Sequence, residues 1–272
     1  MNQRRDSKRY YKRGNRLLDS NQYDKSILLC KRALTAKSDR YQAHFLWGLN
    51  LIHQQEYEKS IRKFKECLSL DPNDYQIYYN LGVIFDRQNK LVEAESQYVK
   101  CLSLNSLDNS AYHNLILVLM MQYKLGEALE QCEKKIKVFP DDSSADNSYG
   151  YLKFILGDYE EAMKSFETAC QKDSQDSLYS MNKSLVLYCL GQRDLAIEVF
   201  KESLKKIEGE DWRQSFENNL RIYRDGSNHL EKMLKSDNFR EIDQEKLRIN
   251  IEGFRFMVDL ISKELSKESI EK

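Results

Sequence analysis

The residues best suited to chemistry point away from catalysis. Histidines 44, 53, 113 and 229 share no metal-ligand spacing with any cysteine or carboxylate, and there is no H-E-x-x-H. Neither G-x-x-x-x-G-K-S/T nor G-x-G-x-x-G occurs, so no phosphate cradle is visible. Cysteines 30, 67, 101, 132, 170 and 189 include no C-x-x-C pair. No enzyme activity, metal, cofactor or small-molecule substrate is expected. What stands out instead is a column of side-chain amides, Asn80, Asn114 and Asn182, with Leu117, Met120, Met121, Tyr151, Phe154 and Tyr188 beside it. An amide side chain donates and accepts together, so it can pair with a peptide group whatever the sequence. Methionine and aromatic side chains offer an adaptable apolar surface.

The elements that position these residues are set by a 34-residue period. With repeats beginning at 7, 41, 75, 109, 143 and 177, one column reads Gly14, Gly48, Gly82, Ile116, Gly150, Ser184. Twelve residues later another reads Ser26, Ser60, Ala94, Ala128, Ala162, Ala196. Small residues belong where two helices approach closely. Two further columns, Cys30, Phe64, Tyr98, Cys132, Phe166, Phe200 and Ala33, Cys67, Cys101, Lys135, Ala169, Ser203, follow at helical spacing on one face. The cysteines thus read as small core hydrophobes, as in a reducing compartment. His44 shares a slot with Tyr10, Tyr78 and Tyr112 and reads as a packed histidine. Each unit is expected to be helix, tight turn, helix, with Gly157 and Gly191 in the turn. Pro72 and Pro140, the only two prolines, end second helices.

This pattern resembles the tetratricopeptide repeat, W-x2-L-G-x2-Y followed by alanine, phenylalanine and proline. The resemblance covers 7 to 210 in unbroken register. It implies an all-α fold, a right-handed α-α superhelix whose first helices line a concave groove. Arg13 and Lys183 before the glycine slot, Ile116 within it and Lys153 at an aromatic position depart from the pattern. In some family members asparagines at the slot of Lys12, Leu46, Asn80, Asn114, Ser148 and Asn182 hold a peptide backbone. The resemblance therefore implies a groove binding a partner's peptide or helix through Asn80, Asn114 and Asn182, with Leu117, Met120, Met121, Tyr151, Phe154 and Tyr188 as its apolar floor. The family's carboxylate clamp for chaperone tails is absent, since Tyr11, Asn15, Leu46, Gln76 and Asn80 stand at its positions.

After Glu210 the period fades. Trp212, Phe216, Leu220 and Tyr223 share a helix face, Asp225-Gly226 is expected to break that helix, and Leu230, Met233 and Leu234 suggest a short second one. Asp237-Asn238 then opens a long helix through about Leu265, too apolar around its circumference to stand alone. It must meet the array end, the groove or another chain, where it could support an oligomer. The chain divides as a basic extension over 1–6, six repeats over 7–210, a degenerate repeat or capping helices over 211–236, and the long helix over 237–272.

Charge is balanced overall, 43 basic against 43 acidic, so whole-chain charge argues for neither nucleic acid nor membrane binding. Locally it is uneven: residues 1–40 hold twelve Lys/Arg against four acids, and 141–176 nine acids against three lysines. The first could meet an acidic partner, nucleic acid or lipid headgroups, and the second a basic segment. No run of about 18 apolar residues exists, so no membrane span is expected. The polar, basic Met1-Asn2-Gln3-Arg4-Arg5 lacks a signal core. The reading is a cytoplasmic, non-catalytic interaction scaffold. Its rivals are a structural subunit of a permanent oligomer and a regulatory module acting through the basic stretch.

Overall fold

A computed structural model describes residues 2–35, 40–206, 212–235 and 243–267. Among these are fourteen helices and no strand: α1 (Asn2–Asp19), α2 (Tyr23–Thr35), α3 (Arg40–His53), α4 (Tyr57–Leu70), α5 (Tyr75–Arg87), α6 (Leu91–Leu104), α7 (Asn109–Met121), α8 (Leu125–Val138), α9 (Ser143–Ile155), α10 (Tyr159–Lys172), α11 (Ser177–Cys189), α12 (Arg193–Leu204), α13 (Trp212–Lys235) and α14 (Gln244–Lys267). They form two compact units. The first, Met1–Lys124, holds α1 to α7; the second, Leu125–Lys272, holds α8 to α14.

Within a repeat the two helices are held by the small-residue slots. A Cβ on Gly82 would lie 2.5 Å from the Tyr98 ring, one on Gly48 2.6 Å from Phe64, and one on Gly150 2.9 Å from Phe166. Each ring lies against bare backbone. The serines of the second column add a clasp: Ser26 Oγ donates to Gly14 O and Ser60 Oγ to Gly48 O, both at 2.8 Å. In repeat six the clasp is reversed, with Ser184 in the glycine slot donating to Ala196 O at 2.7 Å.

The turns obey one rule. Asn21, Gln55, Asn89, Tyr123, Gly157 and Gly191, one per repeat, all have positive φ. Left-handed backbone is nearly free for glycine and unfavourable for the others. First helices α5, α7, α9 and α11 share a second device, an aspartate cap at 74, 108, 142 and 176 whose carboxylate accepts a first-turn backbone N–H. Asp142 also pairs with Lys135, a lysine in a core slot that is 1% exposed and hydrogen-bonds Ser144 as well. His44, in the tyrosine slot, is half-buried with Nδ1 unpaired, and burial holds its pKa below the usual value.

Beyond the repeats the structure corrects the sequence reading. Asp225-Gly226 does not break a helix: α13 runs unbroken from Trp212 to Lys235. Its buried positions, Asn219, Tyr223, Gly226, Ser227, Leu230 and Met233, keep helical spacing through the glycine. Gly226 is there for close packing, since a Cβ would lie 2.7 Å from the Phe254 ring on α14. The long helix begins at Gln244, capped by Asp243, which accepts from Glu245 N at 2.9 Å. The helix start anticipated at Asp237-Asn238, and the side chains of Trp212 and Phe216, lie outside the described residues.

One substitution should therefore change sign with location. Gly191 faces open space at positive φ, so Gly191→Ala should destabilise by about 1 kcal/mol through backbone strain alone. Gly126, also unobstructed but in the first turn of α8, should gain up to about 0.5 kcal/mol as alanine. Gly82→Ala should cost about 1–3 kcal/mol because the Tyr98 ring must move. Chemical denaturation of the three variants checks the order.

Candidate peptide-binding faces

The first helices carry three neighbouring columns at the same spacing in each repeat. In the first unit they read Leu46, Asn80, Asn114; Leu49, Val83, Leu117; and His53, Arg87, Met121. In the second they read Ser148, Asn182; Tyr151, Leu185; and Ile155, Cys189. These slots form one ribbon per unit, and the two ribbons differ in what covers them.

In the second unit α13 and α14 cover the ribbon. Phe254 of α14 packs edge-on to Phe154 and Tyr151, with centroids 5.6 and 6.1 Å away, while Phe256 stacks on Tyr188 at 4.2 Å. Gly253 lets α14 settle onto α11, where a Cβ would sit 2.7 Å from Cys189 Sγ and 2.8 Å from Leu185. A buried amide fixes the register: Asn250 Nδ2 donates to Phe154 O at 2.9 Å, and Asn250 Oδ1 accepts from Tyr159 OH at 2.8 Å. Asn182 is engaged as well, donating to Asn147 Oδ1 at 2.8 Å and accepting from Tyr223 OH of α13 at 2.9 Å. Burial raises the pKa of both Tyr151 and Tyr223 above the ordinary phenol value.

Asn182, Tyr151, Phe154 and Tyr188 are therefore corrected as open groove residues: the chain's own C-terminal helices take their faces. Phe154 is fully buried. The same packing answers where the apolar helix goes. Leu247, Ile251, Phe254, Met257 and Ile261 are buried, and Arg248, Glu252, Arg255, Asp259 and Lys263 form its exposed stripe. Each buried side chain of that size contributes about 1.5–3 kcal/mol. Asn250 and Gly253 escaped the sequence reading. Their signal was a lone amide and a glycine inside an apolar run.

In the first unit the ribbon is accessible. Leu117 and Met121, four apart on α7, are 44% and 46% exposed, and Met120 is half-buried. Asn114 Nδ2 reaches Tyr98 OH and Tyr79 OH only at 3.3 and 3.4 Å, long and readily exchanged bonds. Asn80 Nδ2 donates to Gln76 O at 2.7 Å, which leaves its carbonyl oxygen to accept from a ligand. Asn80, Asn114, Leu117, Met120 and Met121 thus all stay at least partly exposed.

Among the described residues no group of three or more His, Cys, Asp or Glu could hold a metal ion, and no helix is long and apolar enough to cross a membrane. All six cysteines are free, and burial pushes Cys30, Cys67, Cys101, Cys132 and Cys189 up to about 12.

Paired helices at a fixed period, joined by left-handed turns and closed at small-residue slots, define an α-helical repeat protein. Family models agree: one described as "TPR repeat" matches 48–89, and one described as "Tetratricopeptide repeat" matches 75–106 and 147–176. Residues 48–106 and 147–176 thus carry tetratricopeptide repeats. No curated protein matches its sequence. Among solved structures it is similar to pilF of Pseudomonas aeruginosa, at 17% identity and TM-score 0.63, covering 80% of this chain and 99% of that one. It is also similar to MamA from Desulfovibrio magneticus RS-1, at 18% identity and TM-score 0.56, covering 62% and 96%. YrrB, titled a TPR protein with an unusual peptide-binding site, matches at 16% identity and TM-score 0.53, covering 68% and 96%. At these identities the likeness is one of fold.

Two measurements check the seating of α14. Asn250→Leu should cost about 1–3 kcal/mol by leaving the Tyr159 hydroxyl without its acceptor, and Tyr159→Phe should recover part of that loss in the double variant, as denaturant titration would show. Cys189 should resist a thiol reagent in the native chain and become reactive in Gly253→Leu, whose side chain must lift α14 from α11.

Proposed function

We propose that the chain is a non-catalytic scaffold that holds a peptide or helix of a partner protein on the ribbon of its first unit. Repeats of this family build protein-interaction scaffolds, and YrrB offers a related fold titled for a peptide-binding site. The observation that carries the reading lies within the chain. In the second unit the ribbon slots already receive a helix, α14, seated by an amide, a glycine and aromatic rings. The same slots in the first unit hold Leu49, Val83 and Leu117, with Met121 beside them, and Leu117 and Met121 stay exposed.

A partner segment would lay apolar side chains on Leu117, Met120 and Met121, while Asn80 and Asn114 pair with its main chain. Burying three such side chains contributes about 1.5–3 kcal/mol each, much of it offset by association and ordering costs. The expected affinity for a short ligand is about micromolar or weaker. Four buried free thiols, Cys30, Cys67, Cys101 and Cys132, suit a cytosolic setting.

Selection of peptides from a random library against the full chain tests this. Selected peptides should carry apolar residues one turn apart. They should lose at least about tenfold in affinity to Leu117→Asp with Met121→Asp, and less to Asn114→Ala. Peptides that bind this variant as tightly as the parent chain would overturn the assignment of the ribbon.

A further inference from the structure

A second surface, separate from the ribbon, lies on α1. In repeat three, Ile77, Leu81 and Ile84 of α5 receive the preceding helix α4, packing with its Phe64 and Cys67 in one buried cluster. Two periods earlier those slots are Arg9, Arg13 and Arg16. All three are exposed, as is Lys12, and among the described residues none of the four forms an ion pair. With Leu17 and Ser20 they line an open cleft of about 650 Å³.

The face that elsewhere accepts a helix is therefore present in repeat one, with apolar seats replaced by guanidinium groups. Leu17 stands in the slot of Phe85, which packs beside that buried cluster, so one apolar seat remains. Five of the nine acids in this chain's own acidic stretch are already paired locally. Asp142 pairs with Lys135, Asp146 with Lys172, Asp158 and Glu161 with Lys153, and Glu167 with Lys183.

We infer that this face docks an acidic helix of a partner protein, with carboxylates one turn apart where Phe64 and Cys67 stand on α4, and an apolar residue over Leu17. Guanidinium groups suit such a partner because they bind carboxylates through paired N–H donors. Exposed pairs of this kind set recognition and association rate more than raw affinity.

Fluorescence anisotropy on the full chain tests this with a labelled alanine-based helical peptide carrying glutamates and a leucine one turn apart. Binding should weaken with added salt. It should fall about tenfold for Arg9→Glu with Arg16→Glu, less for Arg9→Gln with Arg16→Gln, and return when the peptide's glutamates become lysines. Leu117→Asp with Met121→Asp should leave it unchanged, separating this face from the ribbon. Equal binding of a glutamine-for-glutamate peptide, or tighter binding of a single-stranded oligonucleotide or phosphatidylserine vesicles, would overturn the inference. So would a reversal variant that binds undiminished while its circular dichroism matches the parent's.

Discussion

The structure depends on one steric constraint, the contact between a bare stretch of first-helix backbone and a flat ring on the second helix. Gly48 against Phe64, Gly82 against Tyr98 and Gly150 against Phe166 leave no room for a methyl group. Because the approach is this close, each pair has one way to pack, and the pairs can repeat at a fixed period. The constraint also decides which faces remain. A first helix spends one side on its own partner and another on the preceding pair, and the third becomes the ribbon.

Seen this way, the two units answer the same question differently. In the second, α13 and α14 meet the ribbon, and their register comes from Asn250, which satisfies both a helix-end carbonyl and a tyrosine hydroxyl. A buried amide without such partners would be costly, so this geometry specifies where α14 sits as well as stabilising it there. In the first unit the ribbon carries Leu117, Met121 and a loosely bonded Asn114 and remains accessible.

The repeats were legible in the sequence because their signal is periodic: a small residue every 34 positions leaves little else for a helical chain to do. The turn slot was half legible. Gly157 and Gly191 announced positive φ, whereas Asn21, Gln55, Asn89 and Tyr123 adopt it without saying so. Gly226 misled, because a glycine among polar residues reads as a turn until the ring that needs its space, Phe254, is known, and that ring lies on another helix. Asn182, Tyr151, Phe154 and Tyr188 were legible as one face but not as a covered one. Spacing reports which residues share a side and not what lies against them. The apolar circumference of α14 carried that information only as a demand for some cover.

α14 packs as part of the second unit and covers that unit's ribbon. Native-state amide hydrogen exchange on the unliganded chain measures this directly, because it reports the opening free energy of each helix. The backbone amides of residues 247–261 should exchange as slowly as those of α11, with denaturant dependence showing that the two open together. Exchange of α14 that is orders of magnitude faster, with α11 still protected, would show a helix that leaves the ribbon on its own and is no fixed part of the second unit.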